Sequence, residues 1–496
     1  MRRALRSLGL SALLVTGVLS THARAEERTE PTDADARHNT EEPKQAEQPA
    51  PVLTPAEPAV APAAAVAPGV PPVVRPKVGD LSVTGYFRGG FGASNQKGRM
   101  TCFKLGGIPG GMFSKYRLGN ECEVWSETHF TMVTYVGDDG SVATLHFMPT
   151  VFIPTTYIGY APNGNINAPD QYQTSTGAVL YFPNLYADIK GIPWLFGGTL
   201  WGGTRYYKRE SVYISDFFYW NPSGVGMGIE DINLGKDLRL SYGAFAVDGE
   251  PVPQAAGSPS LPLQIDFGLR NDLQLRGIRF WQSGEFQLGF QYIANYSNNP
   301  ATHSGWGVTL QFVQKLLGGD NKLAVQYGRG GGTGFGTLSR FYYPDFSVRH
   351  DQSESRLRVV DVLTMQPIEW LGAQLAGVFQ RDDLGTQGSQ TDWYSTGGRV
   401  GLAFVKHAKL LGEAGYDYVK KDNGSQPQYL AKVTGAVAIS ADRGFYARPE
   451  LRLFYTWATW NQAARTTGVD SGGIYTNVYT MATNGAIFGL QAETWW

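Results

Sequence analysis

The chain has few cysteines, little charge imbalance and no long apolar runs. Cys102 and Cys122 are its two cysteines in 496 residues, too few for a four-ligand structural zinc site without other residue types. They fit an oxidising compartment, either closing one loop or standing as two buried thiols, and the disulfide is the favoured reading. Lys and Arg total 42 against 43 Asp and Glu, a net charge of −1, which gives nucleic acid no basic surface to bind. Past the N-terminus no run reaches the roughly 18 apolar residues of a membrane-spanning helix, which argues against a helical membrane bundle. Helical periodicity is almost missing as well. Glycine is abundant, at 62 residues, as are aromatics, at 13%.

The chain reads in three parts. Residues 1–25 have the pattern of a secretion signal: basic Arg2, Arg3 and Arg6, the short apolar "LGLSALLVTGVL", and "ARA" before a cleavage point after Ala25. Residues 26–78 are acidic at first and Pro/Ala-rich later. They hold too little apolar surface for a core and predict a disordered, semi-rigid periplasmic spacer. Residues 79–496 keep one texture throughout, of short alternating runs punctuated by Gly, Asn, Asp and Pro.

Alternation of this kind predicts strands, whose side chains point to opposite faces in turn. In "DLSVTGYFRGGFG", Leu81, Val83, Phe87 and Phe91 oppose Ser82, Thr84, Tyr86 and Arg88. In "ECEVWSETHFTM", Val124, Phe130 and Met132 oppose Glu123, Trp125, Glu127 and His129. In "RPELRLFYTW", Leu451, Leu453, Tyr455 and Trp457 oppose Arg448, Glu450, Arg452 and Phe454. The closing "FGLQAETWW" sets Phe488, Leu490 and Trp496 against Gln491, Glu493 and Trp495. Pieces such as "LGGDNK" and "KKDNGS" read as turns between runs. The fold class is all-β.

Export, one long unbroken β-region and an aromatic final residue favour a transmembrane barrel, apolar outside and polar toward a lumen, over a soluble sandwich. Arg88, Arg117, Glu127, Arg209, Arg448 and Arg452 would be costly in lipid, at roughly 2–4 kcal/mol for a basic residue at mid-bilayer. Facing inward beside Tyr86, Trp125 and Trp495, they make a wall suited to sugars: rings meet the C–H face of a pyranose, and charged groups meet its hydroxyls. An unselective diffusion pore shares the same polarity. A secreted glycosidase lacks support, because acid pairs such as Glu121 and Glu123 mean little without a cleft, and no catalytic constellation is present. The seven histidines, including His129 and His146, show no ligand spacing. No cofactor or metal is expected. The spacer also permits a reading in which the barrel is mainly an anchor and 26–78 contacts another envelope component.

Several segments resemble the maltoporin-type carbohydrate porins: "SKYRLGNECE", "GTLWGGTRYYKRESVYISDFFYWNPSG", "ARPELRLFYTWATW" and "AETWW". The resemblance implies an 18-stranded antiparallel transmembrane β-barrel in the outer membrane, assembled as a homotrimer. An inward-folded third loop near Thr204–Pro222 would narrow it. It implies passive uptake of maltose, maltodextrins or other oligosaccharides along an aromatic slide, here Tyr86, Trp125, Tyr446 and Trp495. It implies a polar track of Arg88, Arg117, Glu127, Arg209 and Asp216, and a first-loop disulfide, Cys102–Cys122. Four positions depart from the family pattern: Asp320 replaces a slide phenylalanine, Phe182 sits near where the family has a track arginine, and Ser211 and Phe218 replace an acid and a tyrosine on the third loop. A second-loop slide residue has Tyr157, Tyr160 and Tyr172 as candidates.

Overall fold

The computed structural model describes residues 76–98, 100–106, 108, 115–154, 179–248, 267–297, 302–334, 352–466, 478–479 and 482–496. The signal and nearly all of the spacer lie outside them, as do Tyr157, Tyr160 and Tyr172.

The alternating runs form strands that pair antiparallel with their neighbours along the chain. They begin with β1 (Leu81–Ser94), β2 (Glu123–Val136), β3 (Val142–Pro154), β4 (Val179–Ile192) and β5 (Gly198–Arg205). The sheet has 18 strands and closes on itself, because β1 pairs with β2 and also with the last strand, Asn484–Trp495. Closure leaves no unpaired edge, which hydrocarbon would penalise heavily.

The pleat is oriented as the sequence predicts. On the strand Glu450–Trp460, Leu453 is 60% exposed and Arg452 only 2%. Apolar side chains therefore cover the outside and ionic ones line the inside. Aromatic contacts band both ends of the outer surface. Trp281, Phe286 and Phe312 meet near the short turns, and Phe379, Tyr394 and Tyr418 near the long loops. Girdles at both membrane boundaries, short turns at one end and long loops at the other are the marks of an outer-membrane barrel.

"LGGDNK" is only partly a turn. Leu317 (φ 53°) and Gly318 (φ 75°) make the reversal, and the strand Gly319–Arg329 starts at once. Both central residues have positive φ, as a tight two-residue hairpin with native twist demands. Gly318 also lies against the Gln366 backbone, where a Cβ would collide.

One outward carboxylate breaks the apolar pattern. On the strand Ser355–Ile368, Asp361 alternates with inward Arg358, Val360 and Val362, and it accepts a 2.6 Å hydrogen bond from Asn321. Replacing a lipid-facing acid with a hydrocarbon side chain, Asp361→Val, should raise unfolding stability by about 1–2 kcal/mol in a urea titration of the vesicle-embedded barrel. A loss of stability would show instead that another protein surface covers this position.

The lumen is crossed by chain. The third loop joins β5 to the strand Gly224–Asn233 and folds inward as a short hairpin, Glu210–Val212 with Phe217–Trp220. Its Tyr219 hydroxyl donates to Gln311 (2.7 Å), and the Ile214 amide donates to Gln374 (3.0 Å). The first loop enters too. Cys102 and Cys122 are disulfide-bonded across it, Tyr116 and Ser395 share a 3.0 Å hydrogen bond, and the Leu118 amide donates to Glu413 (2.9 Å). The loops join backbone to backbone, with the Lys115 amide donating to the Ser215 carbonyl and the Arg117 amide to the Ile214 carbonyl, each at 2.9 Å. Phe103, Leu105, Tyr116, Leu118, Val212, Ile214 and Phe217 build an apolar core inside the barrel, packed on Trp393, Phe454 and Trp460 of its wall. A core inside a water-filled barrel follows from two inward loops that each carry an apolar face.

Candidate functional site

Strand register sets the rings in an arc. Trp495 stands opposite Tyr86 across the closure, and Trp125 stands opposite Phe152 on β3. Tyr446, in the turn before Glu450–Trp460, reaches Trp495 at 6.5 Å between ring centroids, and Trp495 reaches Tyr86 at 6.4 Å. Tyr86 and Trp125 share one apolar cluster with Phe152, and Trp125 stacks on Tyr181 at 6.0 Å. Trp495 lies at the short-turn end of its strand, whereas Trp125 and Tyr181 lie at the loop ends of β2 and β4. The arc thus climbs the wall while it crosses strands.

The rings differ in access. Tyr86 and Trp125 are each 1% exposed, covered in this conformation by neighbouring side chains. Tyr446 and Trp495 are half-buried. Burial pushes the Tyr446 phenol up to about 12, so it stays neutral and keeps its proton as a donor.

The ionic residues converge on one carboxylate. Glu493 accepts from Tyr86 (2.9 Å), Arg117 (3.1 Å), Tyr213 (2.6 Å), Arg448 (2.9 Å) and Arg452 (2.6 Å). Arg88 bonds Asp216 at 3.1 Å and Glu123 at 2.7 Å, and Lys115 reaches Glu123 at 3.1 Å and Glu121 at 3.2 Å. Burial alone would push the Glu121 carboxyl up, but Arg117, Arg88 and Lys115 together hold it well below the usual carboxylate range. Carboxylate oxygens of Glu121, Glu123 and Asp216 lie within 4.8 Å of one another. Arg88 and Lys115 already stand among them, so the group is a balanced ion-pair network rather than a metal site. Glu127 is buried on β2, opposite Tyr86 in the register. The Arg209 guanidinium carbon sits over Tyr206, 3.2 Å from the ring centroid.

Beneath the third loop, at the short-turn end, is a cavity of about 730 Å³ whose lining includes Tyr213, Phe218, Tyr446, Arg209, Asp320, Lys322 and Gln374. Ser211 lines it too, so three of the four departures from the family pattern meet in one space. The fourth does not enter the lumen. Phe182 faces outward, 43% exposed, and stacks on Phe147. The cause is a register shift in which Thr150 pairs with Tyr181 while Met148 pairs with Asn184. One extra residue at Pro183 turns Phe182 to the lipid side and Tyr181 to the lumen.

Sequence reasoning missed the centrality of Glu493 and the roles of Tyr213, Tyr181 and Phe152. Parity had already put Glu493 on the inward face. Tyr213 sits on a loop, where parity says nothing.

A closed antiparallel barrel with an apolar belt, aromatic girdles and an ion-lined, loop-narrowed lumen is an outer-membrane porin. The chain belongs to the LamB porin family, whose model matches residues 81–496. Among solved structures, OccAB1 of Acinetobacter baumannii is 11% identical, with 84% of this chain and 97% of that one covered and a TM-score of 0.45. OpdK of Pseudomonas aeruginosa, solved with vanillate, is 9% identical, with 84% and 99% covered and a TM-score of 0.45. OprB of Pseudomonas putida is 8% identical, with 84% and 94% covered and a TM-score of 0.39.

Proposed function

We propose that the barrel is a carbohydrate-selective porin, passing maltose, maltodextrins or other oligosaccharides down their gradient. The observation that carries this reading is the cavity beneath the third loop. Tyr446, Tyr213 and Phe218 offer ring faces there beside Arg209, Asp320, Lys322 and Gln374, the pairing of apolar face and hydrogen-bonding rim that a pyranose presents in reverse. Its volume falls within the 300–1,000 Å³ usual for small-molecule sites. The arc from Tyr446 through Trp495 to Tyr86 and Trp125 would extend that contact along the wall as a slide, with Arg88, Arg117, Glu127, Arg209 and Asp216 as its polar track. Contact along the buried part of the arc requires the first and third loops to shift. Family resemblance adds the homotrimer, whose mass in detergent would equal three chains.

In planar bilayers, a sugar that binds should block ion current in a saturable way. Tyr446→Ala should weaken that block about tenfold, the loss of one stacking ring and its hydroxyl. A general diffusion porin is the competing reading. Liposome swelling by sugars of equal size and different stereochemistry separates the two, since equal rates defeat selectivity.

A further inference from the structure

His129 and His146 are 17 residues apart and lack ligand spacing, yet the pairing of β2 with β3 brings them together. His129 faces the lumen from β2 with Trp125 and Glu127, and His146 does so from β3 with Thr144 and Phe152. The register pairs Thr131 with His146, which makes His129 the diagonal neighbour. Its Nε2 lies 3.2 Å from His146 Nδ1. On the other side, His146 Nε2 lies 3.2 Å from Asp188 Oδ2 on β4. Tyr186 lies parallel to the His146 ring at 4.2 Å, Thr131 Oγ1 is 3.4 Å from Nδ1, and Lys190 balances Asp188 at 3.3 Å.

This arrangement fixes a tautomer. A carboxylate only accepts, so His146 Nε2 carries a proton, and in the neutral ring Nδ1 is an acceptor, shared between His129 and the more distant Thr131 hydroxyl. The Nδ1 lone pair faces His129 Nε2. One proton between the two rings satisfies the contact, and so does a cation. Two imidazole nitrogens 3.2 Å apart, each about 2.0–2.1 Å from an ion, subtend about 100° at it, near the tetrahedral angle zinc takes. A carboxylate behind a ligating imidazole is also the usual support that orients the ring and raises its basicity.

We propose that His129 and His146 form a two-histidine site on the lumen wall for a borderline divalent transition metal such as Zn²⁺, Ni²⁺ or Cu²⁺. Asp188 is the positioning residue. The ion enters from the lumen past His129, the more exposed of the two rings. Two protein ligands make an exchangeable site, with water or a passing solute in the remaining positions. Imidazole donors select these ions over Mg²⁺ and Ca²⁺, which want oxygen. The bound ion adds positive charge to the lumen and reduces cation passage.

The test is a Zn²⁺ titration of the full-length, untagged porin at pH 7.5, by calorimetry and by single-channel current. One site per chain with micromolar affinity is expected, along with a saturable fall in current that EDTA reverses and millimolar Mg²⁺ does not mimic. His129→Gln and His146→Gln should each weaken binding at least tenfold, and Asp188→Asn about tenfold, the scale of lost carboxylate support. His407→Gln, in the turn between the strands Thr391–Val405 and Ala408–Lys421, should change nothing. No saturable Zn²⁺ uptake by the parent protein overturns the proposal without reference to any variant. So does uptake that persists in correctly folded His129→Gln and His146→Gln.

Discussion

Glu493→Ala is expected to cost the barrel about 3–5 kcal/mol, the range for removing one partner of a buried ion pair and leaving its counter-charges behind. Glu493 is 1% exposed and takes hydrogen bonds from the guanidinium groups of Arg117, Arg448 and Arg452 and the hydroxyls of Tyr86 and Tyr213. Arg452 keeps Glu450 at 2.6 Å and Arg117 keeps Glu121, so those two retain one partner each. Arg448 stays only 3.6 Å from Glu450. The net charge of the constriction rises by one unit, which should favour anions. Urea unfolding in vesicles measures the first effect, and reversal potential in a KCl gradient the second. Glu493→Gln keeps the shape and an acceptor, so it should show the selectivity change with a smaller stability loss. A barrel with unchanged stability and unchanged reversal potential would remove Glu493 from the centre of the network.

Removing the disulfide with Cys102→Ser and Cys122→Ser should have the next largest effect. The bond closes a loop across a sequence separation of 20 residues, worth about 3 kcal/mol of unfolded-state entropy. It also anchors the segment that reaches across the lumen through Leu118, whose amide donates to Glu413 and whose carbonyl accepts from Lys432 at 2.8 Å. With the tether cut, this segment should leave the wall more often, and mean single-channel conductance should rise with added open-state noise. Dithiothreitol applied to the parent protein should produce the same change. Conductance that ignores both treatments would mean that the hydrogen bonds alone hold the first loop in place.

The strands were legible because one property repeats at a period of two over the whole barrel. Parity alone sorts Leu451 and Leu453 from Arg452, and Trp495 from Trp496. It fails wherever the count slips by one, as at Pro183, where Phe182 and Tyr181 exchange faces. It is silent on loops. Arg117 and Arg209 were flagged by the cost of charge in lipid and given a role by resemblance to known segments, Asp216 by resemblance alone, whereas Tyr213 had no signal pointing to it. Contacts across strands were illegible as well, since His129, His146 and Asp188 meet only through the register of the neighbouring strands β2, β3 and β4. The disulfide needed no geometry to be favoured, because the chain holds a single pair of cysteines.

The amides of Lys115 and Arg117 weld the two inward loops into a single girder. Anchored by Tyr116 and Leu118 to the strands Thr391–Val405 and Ala408–Lys421, and by Ile214 and Tyr219 to Leu371–Asp383 and Gly305–Leu316, it ties both loops to one continuous stretch of the wall. A change in either arm is therefore felt by both. Retuning the aperture through one loop means retuning the other, and selection on this pore acts on the pair as a unit.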